Sequence, residues 1–170
     1  MWHYRGQGRP PFAQEPGPGQ ESVWDYPRPP VPAPDGRRVR VLHGEQCLCD
    51  SRAAVRVLET ASPPTWYLPP DDCELAGLVP VSGGSFCEWK GRASYFALRD
   101  APQLGAVAWC YAEPSAAFAG IAGFLSFYPG KVACFVDGER VKPQPGGFYG
   151  GWMTSDIVGP VKGETGTGGW

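Results

Sequence analysis

The stretch KVACFVDGERVK, residues 131–142, carries the clearest structural signal of the chain. Two apolar runs flank Asp137-Gly138, a dipeptide that accepts the positive φ angles of a two-residue hairpin turn. The stretch therefore predicts a β-hairpin. Short β-branched and aromatic runs, separated by turn residues, also precede it along the chain, which is typical of an all-β domain.

These runs define the predicted strands, which cover residues 38–43, 46–50, 55–59, 65–68, 84–89, 92–98 and 106–111. Residues 69–72, two prolines and two aspartates, end one strand and predict a short helical turn. One helix is predicted from Ser115 to about Leu125, because Pro114 precedes it and Phe118 and Ile121 share a face. We therefore expect a mostly β fold, α+β by strict count, with one helix packed on a sheet.

The length of 170 residues suits one domain with a real core. The 24 glycines and 20 prolines would alone suggest disorder, but seven Trp, seven Tyr and eight Phe supply ample area to bury. We divide the chain into a Pro-rich extended N-terminal arm (1–36), a β core (37–142) and a Gly-rich C-terminal arm (143–170) packed on the same domain. Trp24 and Tyr26 are the expected anchors of the first arm.

The charge and hydropathy of the chain argue against nucleic acid and membranes as partners. The net charge of -2 gives no field that would gather nucleic acid or anionic lipid. Residues 1–11 lack the apolar stretch of a secretory signal, and the apolar run 116–127 is too short to span a bilayer. We expect a cytoplasmic protein without membrane or nucleic-acid partners, whose six cysteines are free and mostly buried thiols.

Several segments are similar to those of one family. They are SVWDYPRPP (22–30), VLETASPPTWYLP (57–69), SFCEWKG (85–91), the stretch 127–160 and the closing Gly-Trp. From about residue 21 onwards the chain resembles the domain of unknown function 427 family. The resemblance implies a compact, mostly antiparallel β domain, barrel-like or tent-like, of the kind also seen in B-type methionine sulfoxide reductases. It implies no established activity.

Members of that wider architecture often carry a structural zinc held by paired Cys-x-x-Cys motifs. This chain has only Cys47-x-Cys49, whose side chains are expected on one strand face, while Cys73, Cys110 and Cys134 are scattered. Zinc sites need paired cysteines or added histidines. We therefore predict no metal site and no cofactor.

The segment 85–91 contains the leading candidates for chemistry. On a strand, Glu88 and Lys90 would share one face and could converge on a small ligand, and Cys87 would point to the opposite face. In a pocket, desolvation would raise the pKa of Glu88 and lower that of Lys90, so that either could carry a proton near neutral pH. The alternative is an ordinary ion pair on a sheet surface.

An aromatic set is the candidate wall of a binding pocket, with nearby Gly-Gly pairs that let backbone approach a ligand. It comprises Trp66, Tyr67, Trp109, Tyr111, Phe148, Tyr149 and Trp152. The alternative is ordinary core packing, and Trp66 and Tyr67 must face opposite ways in any strand. Asp156 is a further candidate polar contact, and its alternative role is a turn cap.

Three functions remain open on this basis. The leading hypothesis is a β domain that binds a small polar organic ligand in an aromatic pocket, with an acid–base step at Glu88 and Lys90 as an option. The second is a non-enzymatic interaction or homo-oligomerisation module that uses the two arms. The third, binding of single-stranded nucleic acid on exposed aromatic rings, needs a basic groove that the net charge does not indicate.

Overall fold

The computed structural model describes all 170 residues. Short strands joined by tight turns make up most of the fold, so the mostly β prediction is confirmed. The strands are β1 (Glu21–Ser22), β2 (Val31–Asp35), β3 (Val39–His43), β4 (Gln46–Ser51), β5 (Ala54–Leu58), β6 (Thr65–Tyr67), β7 (Leu78–Cys87), β8 (Gly91–Leu98), β9 (Ala106–Cys110), β10 (Leu125–Phe127), β11 (Ala133–Val136), β12 (Glu139–Arg140), β13 (Lys142–Pro143), β14 (Trp152–Met153) and β15 (Ile157–Val158).

All helical segments are short 3-10 turns. They cover Val23–Asp25, Pro70–Asp72, Leu75–Gly77, Pro102–Leu104 and Ala116–Ile121. The turn predicted at 69–72 is confirmed, but the helix predicted from Ser115 to Leu125 is wrong in type and length. Phe118 has non-helical backbone angles, and Leu125 already belongs to β10. None of these segments is long and apolar enough to cross a bilayer.

The strands form two four-stranded sheets, one three-stranded sheet and two pairs. Their orders are β10-β9-β8-β7, β12-β11-β3-β4, β2-β5-β6, β13-β14 and β1-β15, and only β1 and β15 run parallel. Reciprocal backbone hydrogen bonds of 2.8 Å between Leu68 and Leu125 link the end of β6 to β10. The sheets do not close into a barrel, so the barrel-like arrangement stays an expectation of the resemblance.

The Asp137-Gly138 hairpin is present as predicted. Strands β11 and β12 pair around it, and the two turn residues have φ angles of 46° and 82°. These are the angles that a tight, right-twisted hairpin requires. The local signal at residues 131–142 was therefore sufficient to locate the turn.

Side-chain alternation separates the main core from a second cluster, which is rich in aromatic residues and consists of Val57, Tyr67, Ala93, Trp109, Tyr111, Phe118 and Ile121. On β6, Trp66 enters the main core while Tyr67 enters the second cluster, as expected for neighbours on a strand. On β9, Ala108 and Cys110 face the main core, whereas Trp109 faces the second cluster. The same strands thus supply a packed core on one face and an aromatic surface on the other.

The N-terminal arm is shorter than predicted. Residues 31–35 form β2, which pairs with β5 over its whole length, so the packed sheet begins before residue 37. Before β2, Trp24 and Tyr26 are buried beside Ile157 and Val161 of the C-terminal segment. Trp170 also contacts the Trp24 ring, at 5.2 Å between ring centres. The two ends of the chain are therefore packed together on the same domain.

Candidate functional site

The second aromatic cluster borders a cleft of about 770 Å³. Strands β5 and β6 supply one part of the wall, and β7, β8 and β9 supply another. The Gly-rich loop 147–150, together with Trp2 and Lys162 from the two ends of the chain, completes it. Its volume lies within the usual range of small-molecule sites, about 300–1,000 Å³.

Glu88 and Lys90 both line this cleft, but not for the reason expected. Strand β7 ends at Cys87, and residues 88–90 form a turn that closes onto Gly91, whose φ is 105°. Strand alternation therefore does not apply to them. The expectation that Cys87 points away is wrong for the same reason, since Cys87 lines the cleft too.

The turn holds Lys90 inside the protein. Ser115 donates its backbone N–H to the Lys90 carbonyl at 3.1 Å and its hydroxyl to the Trp89 carbonyl at 2.7 Å, which fixes the turn from behind. The Lys90 residue is only 8 % exposed. Its ammonium lies 5.7 Å from the ring centres of Tyr111 and Phe118, within the range of cation–π attraction.

No salt bridge neutralises Lys90. None of the carboxylates of the chain lies within 4.0 Å of its ammonium, so the alternative of a surface ion pair with Glu88 does not hold. Lysines are almost never fully buried unless they are paired. The Lys90 ammonium is therefore buried without an anionic partner from a carboxylate of the chain.

The pKa of Lys90 is raised, whereas the sequence predicted that it would be lowered. Burial lowers it, but electrostatic interactions with Tyr67, Cys87 and Glu59, together with a hydrogen bond to the Cys87 side chain, outweigh burial, and the net pKa is raised. Lys90 is thus a stable cation at neutral pH. At Lys162 burial and the nearby Arg28 charge do lower the pKa, which is the direction that was expected for Lys90.

The side chain of Glu88 is exposed, and the N-terminal arm contacts it. Its carboxylate accepts the indole N–H of Trp2 at 2.9 Å. The Trp2 ring is flanked by two cations, with the Lys162 ammonium 3.9 Å and the Arg28 guanidinium carbon 4.5 Å from its centre. Trp2 therefore lies at the cleft as part of its wall, held by one hydrogen bond and two cation–π contacts.

Five members of the predicted aromatic set line the cleft. They are Tyr67, Trp109, Tyr111, Phe148 and Tyr149. Trp109 donates its indole N–H to the Tyr67 hydroxyl at 3.3 Å. Burial raises the pKa of both Tyr67 and Tyr111, so their hydroxyls are neutral hydrogen-bonding groups near physiological pH.

Three predicted site residues lie elsewhere. Trp66 and Trp152 stack on each other in the main core, with ring centres 5.7 Å apart, so they are wrong as pocket residues. Asp156 is outside the cleft as well: it accepts a hydrogen bond from Thr154 and forms a salt bridge of 3.0 Å with Arg37. The turn-cap alternative for Asp156 stays a prediction, because the contacts of its carboxylate are to the side chains of Thr154 and Arg37.

Sequence reasoning missed several cleft residues. Tyr95 and Tyr128 lie beside Trp109, and strand register would have placed Tyr95, because it pairs with Trp109 across β8 and β9. Trp2 and Lys162 had no local signal at all. They reach the cleft only because the two ends of the chain pack together.

The charges of the cleft leave a positive excess. Three lysines and two glutamates line it, but Glu59 is paired with Arg28 at 3.2 Å. Lys131 donates to the Leu104 carbonyl, while Lys90 and Lys162 are buried without a carboxylate partner. The arrangement can hold an anionic group beside flat aromatic surfaces. No cluster of three or more His, Cys, Asp or Glu side chains is arranged to hold a metal ion.

Comparison with known proteins identifies the family and nothing finer. No curated protein matches the sequence. A family model described as a domain of unknown function, DUF427, matches residues 31–138. This range runs from β2 to the Asp137-Gly138 turn and includes Lys90 and most of the aromatic wall. The match covers more than half of the chain, and the protein therefore belongs to the DUF427 family.

Proposed function

We propose that this protein binds a small organic ligand that carries both an aromatic or other flat apolar group and an anionic group. The observation that carries the proposal is the buried Lys90 ammonium, which faces an aromatic cleft without a carboxylate partner. In this account the anionic group of the ligand pairs with Lys90.

The energetic argument concerns the unpaired charge. Burying a cation costs free energy unless it is paired or hydrogen-bonded. The rings of Tyr111 and Phe118 offset part of this cost, and a carboxylate or phosphate of a ligand offsets more. Because no carboxylate of the chain pairs with the Lys90 ammonium, the ammonium is available to an anionic partner from outside.

The aromatic wall supports the second half of the proposal. Tyr67, Trp109 and Tyr111 present flat apolar surfaces with hydroxyl or indole groups at their edges. Rings of this kind bind flat ligands by stacking, and the edge groups fix orientation. Phe148, exposed at the cleft, is a further surface on which a ligand can stack.

Binding is better supported than acid–base turnover. Lys90 holds its proton more firmly than an ordinary lysine, which makes it a poor general base at neutral pH. Glu88 is exposed and already accepts the Trp2 indole N–H. An acid–base step at Glu88 and Lys90 therefore stays a secondary part of the proposal.

A thermal-shift screen with matched probes tests the proposal. The probes are benzoate, phenylacetate and phenyl phosphate, each compared with a neutral amide or ester of the same size. We expect the anions to raise the melting temperature of the wild-type protein, and the Lys90→Met variant to lose this response. Lys142→Met, which removes an exposed lysine outside the cleft, is the matched control and should respond like the wild type.

Unchanged responses in Lys90→Met would end the proposal, and so would equal responses to charged and neutral probes in the wild type. The Glu88→Gln variant distinguishes the contribution of Glu88 to binding from that of Lys90. It removes the charge of Glu88 while keeping an acceptor for the Trp2 indole, and we expect it to bind anions at least as strongly as the wild type.

The interaction-module alternative is less well supported. Trp24 and Tyr26 of the N-terminal arm are buried, and Trp170 of the C-terminal arm packs on Trp24 within the same chain, so these rings do not stand free for a second subunit. Light scattering of chains that begin at Glu21, which keep Trp24, Tyr26 and β2, tests this alternative. A change in molar mass relative to the full chain would favour an assembly role for the arm.

We also propose that the protein acts in the cytoplasm. All six cysteines are free thiols in the structure, including the exposed Cys47. Free thiols persist where glutathione and thioredoxin keep them reduced. Fractionation of cells that produce the full chain tests the compartment directly.

A further inference from the structure

Two thiols outside the cleft lie against each other across neighbouring backbone segments. The sulfur atoms of Cys49 and Cys73 are 2.8 Å apart. The two residues form an antiparallel bridge between β4 and the segment that follows the 3-10 turn Pro70–Asp72. Neither residue lines the cleft, so this pair is independent of the proposed ligand site.

The backbone around the pair has the geometry that a disulfide needs. Glu74 donates its backbone N–H to the Leu48 carbonyl at 2.8 Å, one position beyond each cysteine. This makes Cys49 and Cys73 a non-hydrogen-bonded antiparallel pair, in which opposite side chains lie closest. Directly opposite residues of this type have Cα and Cβ separations that a disulfide can bridge without backbone movement.

A β-bulge lies next to the pair. The register of β3 and β4 shifts between Val41 and Leu42, so that Leu48 and Cys49 are both buried while Cys47 is exposed. The expectation that Cys47 and Cys49 share a strand face is therefore wrong. Cys49 is turned inward, to 2 % exposure, and directly onto Cys73, which is partly open to solvent.

We propose that Cys49 and Cys73 form a thiol-oxidation site, which closes into a reversible disulfide when it meets a small-molecule disulfide such as oxidised glutathione. The thiolate of the more accessible Cys73 attacks one sulfur of the oxidant, and one glutathione thiolate leaves. The Cys49 sulfur then attacks Cys73, forming the intrachain bond and releasing the second glutathione. Two protons pass from the cysteines to the two glutathiones, which are reduced as the pair is oxidised.

The disulfide would constrain a loop that carries part of the cleft wall. The loop closed by Cys49 and Cys73 contains β5 and β6, with Val57, Thr65 and Tyr67 of the cleft wall. A cross-link at its base removes conformational freedom from the unfolded chain and stabilises the native fold. We expect the oxidised protein to melt about 5–10 °C higher than the reduced protein.

The test exposes the native full chain to oxidised glutathione and counts free thiols after denaturation, with peptide mapping by mass spectrometry. We expect two of the six thiols to be lost, the mapped bond to join Cys49 to Cys73, and dithiothreitol to restore both. Cys47→Ser should still form the bond. Cys73→Ser and Cys73→Ala should not form it, and the two variants guard against a loss of fold in either one.

Three results would overturn the inference. All six thiols could remain free in the native protein, the reaction could stop at a glutathione adduct on Cys73, or the mapped bond could join another pair of cysteines. Each of these outcomes would show that the pair does not close in solution.

Discussion

The indole of Trp2 donates a hydrogen bond of 2.9 Å to the carboxylate of Glu88, across 86 positions of the chain. This contact joins the start of the N-terminal arm to the turn that carries Lys90. The Lys162 ammonium, 3.9 Å from the Trp2 ring centre, holds the ring from another side. The arm therefore forms part of the cleft wall in this structure.

Removal of the Trp2 side chain should open the cleft. We expect Trp2→Ala to speed alkylation of Cys87, a partly buried thiol that lines the cleft, severalfold in the native protein. Pulse labelling with iodoacetamide and peptide mapping measures the rate at this one cysteine. Leu75→Ala, a change at an exposed apolar residue outside the cleft, is the control; equal Cys87 rates in wild type and Trp2→Ala would contradict the role of the ring.

Replacement of Lys90 by methionine should separate stability from binding. Methionine keeps an unbranched apolar chain and removes an ammonium that has no carboxylate partner but whose pKa is raised in the folded protein. Because a raised folded pKa means that folding favours the charged form, we expect Lys90→Met to lose no more than about 1 kcal/mol of stability. Urea unfolding measures the free-energy difference. A loss of more than about 2 kcal/mol would instead indicate that the ammonium stabilises the fold.

Gly150 should be sensitive to the smallest substitution. A Cβ at this position would overlap the Trp109 ring, which forms part of the cleft wall. We expect Gly150→Ala to displace the ring, to weaken anion binding and to cost about 1–3 kcal/mol of stability. Gly120→Ala, where a Cβ meets open space, should be close to neutral in both measurements. Similar behaviour of the two variants would show that Trp109 is not held against the loop.

Acid should weaken the carboxylate network around Arg37. Burial alone would raise the pKa values of Asp35 and Asp156. Hydrogen bonds and the Arg37 charge outweigh burial, so the net pKa of each carboxyl is lowered. A carboxyl whose pKa is lower in the folded than in the unfolded protein stabilises the fold. This contribution is fully present when the pH is above the pKa of the unfolded state, about 4, and it is lost as the pH falls through the pKa of the folded state.

The Arg37→Met variant tests this sign. We expect it to be about 2–3 kcal/mol less stable than the wild type at pH 7, with the difference shrinking below about pH 4 as the carboxyls take up protons. Urea unfolding at a series of pH values measures the difference. Arg92→Met, at an exposed arginine without a salt bridge, controls for loss of charge; a difference for Arg37→Met that stays constant with pH would contradict the account.

The sequence predicted most of the strands because their signals are local. Asp137-Gly138 marks its own turn, and the alternation of Trp66 and Tyr67 holds wherever β6 lies. The Ala-rich stretch after Pro114 misled the helix prediction, since its two glycines interrupt it: Gly120 lies in the 3-10 turn and Gly123 has a φ of 74°. Glycine is a poor helix former and readily adopts such angles.

The candidate site was predictable in part. The segment 85–91 does line the cleft, although a turn and not a strand brings Glu88 and Lys90 to it. Trp152 could not be assigned from its Gly-rich surroundings, because its burial against Trp66 depends on how distant strands pack. The same limit applies to Trp2, since the contact with Glu88 depends on the packing of the whole arm.

Isothermal titration of phenylacetate and its neutral amide into wild-type protein and Lys90→Met tests the central claim most directly. If the Lys90 ammonium pairs with the anionic group, the wild type should prefer the carboxylate by roughly 10–100-fold, and Lys90→Met should show no preference. A preference of the same size in both proteins, or its absence from the wild type, would contradict the claim.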